Sequence, residues 1–291
     1  MTQIALVTDT TVNMTEDLLK RYGITMVPVH VIFDGVSYKE IVDMPIAEFY
    51  RRLIEIKAAG GALPTSSQPS PGELAEAYLA LAAQGATDII SIHVSAVSSG
   101  TCNSAMLARE MVQDKVRVHV VDSASTSMHM GYMLIEAHQV IQRQGTVEEA
   151  LAAIDRVKAH SGIFFTVTEL DHLEASGRTT GTGKVLEASI KVRPVIGLVA
   201  GKPTVLSPER TQRAAIDKVI ELIRERLKGC TIKGVTVVHG NSPLVAEVLK
   251  ARAPQELGYA GEVLIADFGA GLGVHFGPGL LGLAAYGEPV A

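Results

Sequence analysis

Three apolar runs of strand length each end in a loop dense with hydroxyls, and each loop leads into a helix-forming segment. Gln3–Thr8 leads into Thr8-Asp9-Thr10-Thr11, and Thr87–Val94 into Ser95-Ala96-Val97-Ser98-Ser99-Gly100-Thr101. Val116–Val121 leads into Asp122-Ser123-Ala124-Ser125-Thr126-Ser127. Repeated strand–loop–helix units specify an open α/β sheet, and such sheets bind ligands beyond the carboxyl ends of their strands. A fourth cluster, Thr65-Ser66-Ser67-Gln68, precedes a strong helix start. There Ser70 caps, Pro71 takes the first helical position and Glu73 closes a capping box. One such loop is explained by helix capping alone. Four converging on one sheet edge suit an oxyanion, because hydroxyls and helix N-terminal N–H groups are neutral donors. Gly100 would let the backbone approach that anion closely.

The remaining pattern fills in a two-part chain. Helical spacing predicts Thr15–Tyr22, Met44–Lys57 with Pro45 in its first turn, Ser70–Gln84, Met128–Arg143 and Thr146–His160. Ile24–Phe33 reads as one strand, turning at Asp34-Gly35 into Val36–Lys39, and Gly60–Pro71 reads as a loop. The second half begins at the strand Ile163–Thr168, with Ala200-Gly201 as a turn between Val195–Val199 and Thr204–Leu206. A helix over Arg210–Lys228, a strand over Thr231–His239, a helix over Pro243–Ala253 and terminal strands follow. A chain of 291 residues is long enough for two cores. The expected division is residues 1–160, an N-terminal α/β domain with a mostly parallel sheet, and 161–291, a C-terminal α/β domain with a mixed sheet.

Composition narrows the function. A net charge of -5 and 4% aromatics leave neither a basic footprint nor stacking platforms for nucleic acid. Cys102 and Cys230 stand far apart, which fits a reducing cytoplasm. The chain reaches Asp9 at once and reads as a strand, not a signal peptide. Phe268–Gly287 is uncharged and of membrane-span length, but its glycines and Pro278 predict strand and turn instead. Gly277-Pro278-Gly279-Leu280-Leu281-Gly282 matches a dinucleotide fingerprint without room for the strand–helix–strand unit that it needs. Gly177-Arg178-Thr179-Thr180-Gly181-Thr182-Gly183-Lys184 has one residue too many for a phosphate loop, and Val185 stands where Ser or Thr should hold magnesium. No nucleophile elbow or paired-histidine metal spacing is present. Chemistry at the hydroxyl site would therefore need another protein to supply it.

In order along nearly the whole chain stand VTDT, PTSSQPSPGE at 64–73, SSGTCNSA at 98–105, VDSAS at 121–125, Gly177-Arg178, IKVRPVIGL at 190–198, ERT at 209–211 and HFGPG at 275–279. This ordered set resembles the DegV family, the fatty-acid-binding (FakB-type) subunit of bacterial fatty acid kinase. It departs from the family pattern at Cys102, where a tyrosine is usual, in TDTT for TDS, and in GRTTG for a Gly-Arg-Ile run. The resemblance implies two domains enclosing one long-chain fatty acid, its tail in an apolar tunnel at their interface. Carried over by motif, Thr65 and Ser99 would bind the carboxylate with help from the Gly100 N–H, and His275 would sit close by. Arg178 would be a further charge partner, and Arg210 a surface contact for the kinase. Family members present the acid to a separate ATP-dependent kinase and carry the acyl phosphate onward. The resemblance thus implies a substrate-presenting subunit with no catalytic residue, metal or cofactor of its own, free to touch a membrane transiently.

Elementary energetics agree with that job. Each buried methylene contributes about 0.8 kcal/mol, so a tail of roughly sixteen carbons gains on the order of 10 kcal/mol. Neutral donors can then fix the head group without burying a paired charge. His275 could change protonation as a carboxylate becomes an acyl phosphate, and so assist transfer or product binding. The alternative reading is a stand-alone phosphotransfer or acyl-transfer enzyme in which Ser99 or His275 attacks the substrate.

Overall fold

The computed structural model describes residues 3–168, 170–180 and 192–290. The first half runs β1 (Ile4–Asp9), a 3-10 turn (Thr10–Val12), α1 (Glu16–Arg21), β2 (Ile24–Val27), β3 (His30–Phe33), β4 (Val36–Lys39) and α2 (Ile46–Ala58). It continues with β5 (Thr65–Ser67), α3 (Pro71–Ala83), β6 (Asp88–His93), α4 (Thr101–Val112), β7 (Arg117–Asp122), α5 (Ser127–Gln142) and α6 (Val147–Ala159). The second half begins with β8 (Ser161–Thr166), α7 (Asp171–Ser176), β9 (Arg193–Val199), β10 (Lys202–Glu209) and α8 (Gln212–Arg226). It ends with β11 (Cys230–His239), α9 (Pro243–Leu257), β12 (Val263–Asp267), α10 (Ala270–Phe276) and β13 (Leu281–Pro289).

These strands form three sheets. The order β2-β1-β6-β7 is parallel throughout, and β4-β3-β5 is a small antiparallel sheet. The third, β10-β9-β8-β13-β11-β12, is mixed, with only β11 and β12 parallel. Strand alternation explains the aliphatic runs, since both faces of the larger sheets are covered. Leu6, Ile90 and Ile92 face α5 and α6, whereas Val7 and Ile89 face α3 and α4. Ile163, Phe165 and Val238 join the same α5–α6 layer from the mixed sheet, while Val235 and Val237 pack under α8 and α9. One continuous apolar layer therefore lies between the two larger sheets. Among the described residues no helix is long and apolar enough to cross a membrane.

Local signals fare well where they act locally. Ser70 and Glu73 form the expected capping box, and Asp34 and Gly35 both adopt positive φ in the β3–β4 hairpin. Three expectations fail for tertiary reasons. Ile24–Phe33 is two strands, because Pro28 offers no N–H to a ladder and the chain changes sheets there. The expected loop Gly60–Pro71 contains β5, which pairs with β3. Phe268–Gly287 is not only strand and turn, since it opens with α10. Its glycines are contact points: a Cβ at Gly273 would lie 2.4 Å from the Phe49 ring, and one at Gly271 2.5 Å from Val29. The helix can pack this closely only because those positions lack side chains.

Candidate functional site

Because β1, β6 and β7 are parallel neighbours, the hydroxyl-rich loops that follow them emerge on one edge. They meet the β5 segment, α10 and the β9–β10 hairpin around a cleft of about 700 Å³, its open mouth included. Thr11, Ser66, Ser95, Ser99, Ser125 and Thr126 line its polar side. Val29, Val94, Leu198, Leu272 and Phe276 supply an apolar wall. Phe276 is backed edge-to-face by Phe165 and Phe268, at centroid distances of 4.9 and 6.1 Å. One cleft thus offers both donors and hydrocarbon.

The polar side is organised by His275. Its Nε2 lies 2.9 Å from Ser66 Oγ, and its Nδ1 lies 3.5 Å from Arg178 Nη1. A guanidinium can only donate, so Nδ1 carries the lone pair and Nε2 carries the proton. His275 therefore donates to Ser66, and the Ser66 O–H, with no other acceptor among the described residues, is left to donate to a ligand. Arg178 is held by its Nε bond to the Ser98 carbonyl at 3.0 Å and has no carboxylate partner among the described residues. Burial, then the Arg178 charge and His172, hold the His275 imidazole well below its usual range, at about 3. The ring in this structure is a neutral donor.

The other hydroxyls divide by what their protons already do. Ser161 donates to the Val157 carbonyl, so it must accept from His129 Nε2, which leaves His129 Nδ1 to accept from Ser125 Oγ at 2.5 Å. Ser125 faces the cleft as an acceptor only. Ser95 differs: it is buried, and its Oγ has no partner among the described residues. Ser99 Oγ pairs with Thr101 Oγ1 at 2.9 Å at the start of α4, whose N-terminus adds a partial positive charge. Gly100 has an ordinary φ of -78°, and what needs its missing side chain is Gln68, whose Nε2 would lie 2.8 Å from a Cβ. Gly100→Ala is therefore expected to displace Gln68 and weaken anion binding several-fold, with little change in melting temperature, because the clash meets a movable side chain. Isothermal titration beside a thermal melt checks both halves.

Comparison with known proteins places this architecture. Residues 3–288 match the family model described as "Uncharacterised protein, DegV family". The chain belongs to the DegV family. It is 32% identical over 288 residues to a DegV domain-containing protein of Halalkalibacterium halodurans, covering 99% of this chain and 100% of that one. Among solved structures it is similar to that described as "Fatty Acid Binding of a DegV family Protein from Thermus thermophilus". That match has 30% identity, a TM-score of 0.86 and coverage of 98% of this chain and 99% of that one. It is also similar to "DegV, a fatty acid binding protein from Bacillus subtilis", with 29% identity, a TM-score of 0.87 and coverage of 99% and 100%.

Within this DegV-family chain, Ser99, Gly100, Arg178 and His275 line one cleft, but Thr65 does not. Thr65 is exposed on β5, and the strand's alternation turns the next residue, Ser66, to His275. That alternation is the signal that a strand reading of 65–67 would have supplied. Ser95 and the β9–β10 hairpin also line the cleft, although neither is among the site residues that the motifs imply. Arg210 does not open a helix. It precedes the cap Thr211 and is exposed, without an ion pair among the described residues. It stands at the far end of β10 from the cleft, roughly 20 Å away at strand rise. Residues 181–184 of the phosphate-loop lookalike, and Lys191, lie outside the described residues. For the enzyme alternative, neither Ser99 nor His275 is set up as an activated nucleophile by its partners among the described residues. Ser99 pairs with Thr101 and not with a base, and the third group beside His275 is a cation that lowers its basicity, where a triad needs a carboxylate.

Proposed function

We propose that this chain binds one long-chain fatty acid and presents its carboxylate to a separate ATP-dependent kinase, carrying both the acid and the acyl phosphate. The observation that carries the reading is the row Ser66–His275–Arg178, with donors free for an anion, set against the apolar wall of Val29, Leu272 and Phe276. The fatty-acid-binding descriptions of the Thermus thermophilus and Bacillus subtilis relatives support the same ligand class. Burial of the tail supplies most of the affinity, at about 0.8 kcal/mol per methylene. The head-group donors fix orientation, and an activated nucleophile is not required of this chain.

Mass spectrometry of organic extracts from the purified protein tests the ligand. The expected result is fatty acid near one equivalent per chain, whereas none, even after incubation with acyl chains, rejects the reading. Adding the kinase and ATP tests the second half. Acyl phosphate should form only when both proteins are present.

A further inference from the structure

Glu40, at the end of the β3–β4 hairpin, is 1% exposed yet has no ion-pair partner among the described residues. Its Oε1 accepts the Gly271 N–H at 3.0 Å, and the Ala270 N–H and the Thr10 hydroxyl lie within its reach. Its Oε2 has no hydrogen-bond partner among the described residues. The helix that it touches, α10, has no side-chain cap of its own, because its N-cap residue is Gly269. The seat is shaped to the carboxylate: a Cβ at Gly269 would lie 2.0 Å from Glu40 Oε1, and one at Gly271 3.1 Å from Oε2. The other end of the link is equally defined. The Glu40 N–H donates to the Val29 carbonyl at 2.9 Å, and Val29 is part of the cleft's apolar wall. Along α10, Gly271, Leu272, His275 and Phe276 all line the cleft.

We infer that Glu40 is a positioning residue that caps α10 from a distant part of the chain and so sets where His275 and the apolar wall stand in the ligand cleft. This inference rests on the proposed fatty-acid site for its role but not for its geometry. An acceptor is what the geometry requires, and it must reach Gly271 without crowding Gly269. Glutamine keeps both the length and the acceptor. Aspartate is one methylene short, and alanine at Gly269 fills the seat while leaving the acid in place. Gly269 has φ -67° and ψ -177°, so that alanine meets no backbone penalty.

The test compares Glu40→Gln, Glu40→Asp and Gly269→Ala by palmitate affinity and by the ¹⁵N ring resonances of His275. Aspartate at position 40 and alanine at position 269 should each lower affinity about ten-fold, the equivalent of about 1.4 kcal/mol. Both should shift the His275 ring signals, and glutamine should restore affinity and signals to near wild type. Wild-type affinity and unmoved His275 signals in the aspartate and Gly269 variants would overturn the inference, as would failure of glutamine to rescue. If the wild-type chain binds no fatty acid, the proposed function fails, while the His275 signals still decide the role of Glu40.

Discussion

Replacing His275 with alanine is expected to lower fatty-acid affinity at least ten-fold, about 1.4 kcal/mol, by the same factor at pH 6 and pH 8. The size follows from what is lost. The ring donates to Ser66 and accepts from Arg178, so its removal deletes one neutral hydrogen bond and leaves the exposed Arg178 guanidinium held by the Ser98 carbonyl alone among the described residues. The flat pH dependence follows from an imidazole held at about 3 by burial and by the Arg178 charge. At both pH values it is neutral in the folded chain. The same shift makes the fold lose stability as pH falls from 6.5 toward 3, where the unfolded chain takes up a proton that the folded site refuses. Affinities of the wild type and variant measured at each pH, and taken as a ratio, cancel the ligand's own titration. A ratio that changes near pH 6.5 would mean that the ring titrates in the complex. That would restore the role expected from sequence, in which His275 tracks the charge of the head group.

The parts of this molecule legible in its sequence are those decided within one or two turns of chain. Ser70 and Glu73 announce a helix start because their partners are three residues apart, and Asp34-Gly35 announces a hairpin because positive φ is a local property. The convergence of the hydroxyl loops was also legible, since parallel neighbouring strands must emit their loops on one edge. What escaped was decided at long range. The break in Ile24–Phe33 depends on which sheet each half joins, and β5 is a strand only because β3 lies beside it. That strand is also why Ser66 and not Thr65 lines the cleft, because one step along it reverses the face. Glu40 was invisible for a related reason. The group that it caps lies 231 residues away, and the glycines that admit it look like helix breakers.

Between pH 4.5 and 8 the wild-type chain is expected to lose about 3 kcal/mol of stability relative to Glu40→Gln. Burial is the main cause. It raises the carboxyl from 4.5 to about 7, with Asp9 adding to the rise and the Thr10, Gly271 and Ala270 bonds opposing it. Asp9 and Tyr50 are the titratable groups that face it, and the Tyr50 phenol, raised well above its usual range, stays neutral throughout this window. Below pH 4.5 both the folded and unfolded chains hold the proton, so the stabilising preference of the fold for the protonated acid is fully present. Between 4.5 and 7 only the folded chain holds it, and that contribution drains away as pH rises through 7. Glutamine cannot titrate, so the difference between its denaturant curves and those of the wild type isolates this one group from every other. Curves that stay parallel across the window would show that Glu40 does not carry the buried proton. The same substitution keeps the acceptor that α10 needs, so it separates the energetic cost of a buried charge from the hold on His275. A variant that binds palmitate as tightly as wild type but no longer weakens as pH rises through 7 would assign Glu40's positioning to its oxygen and the pH dependence to its charge.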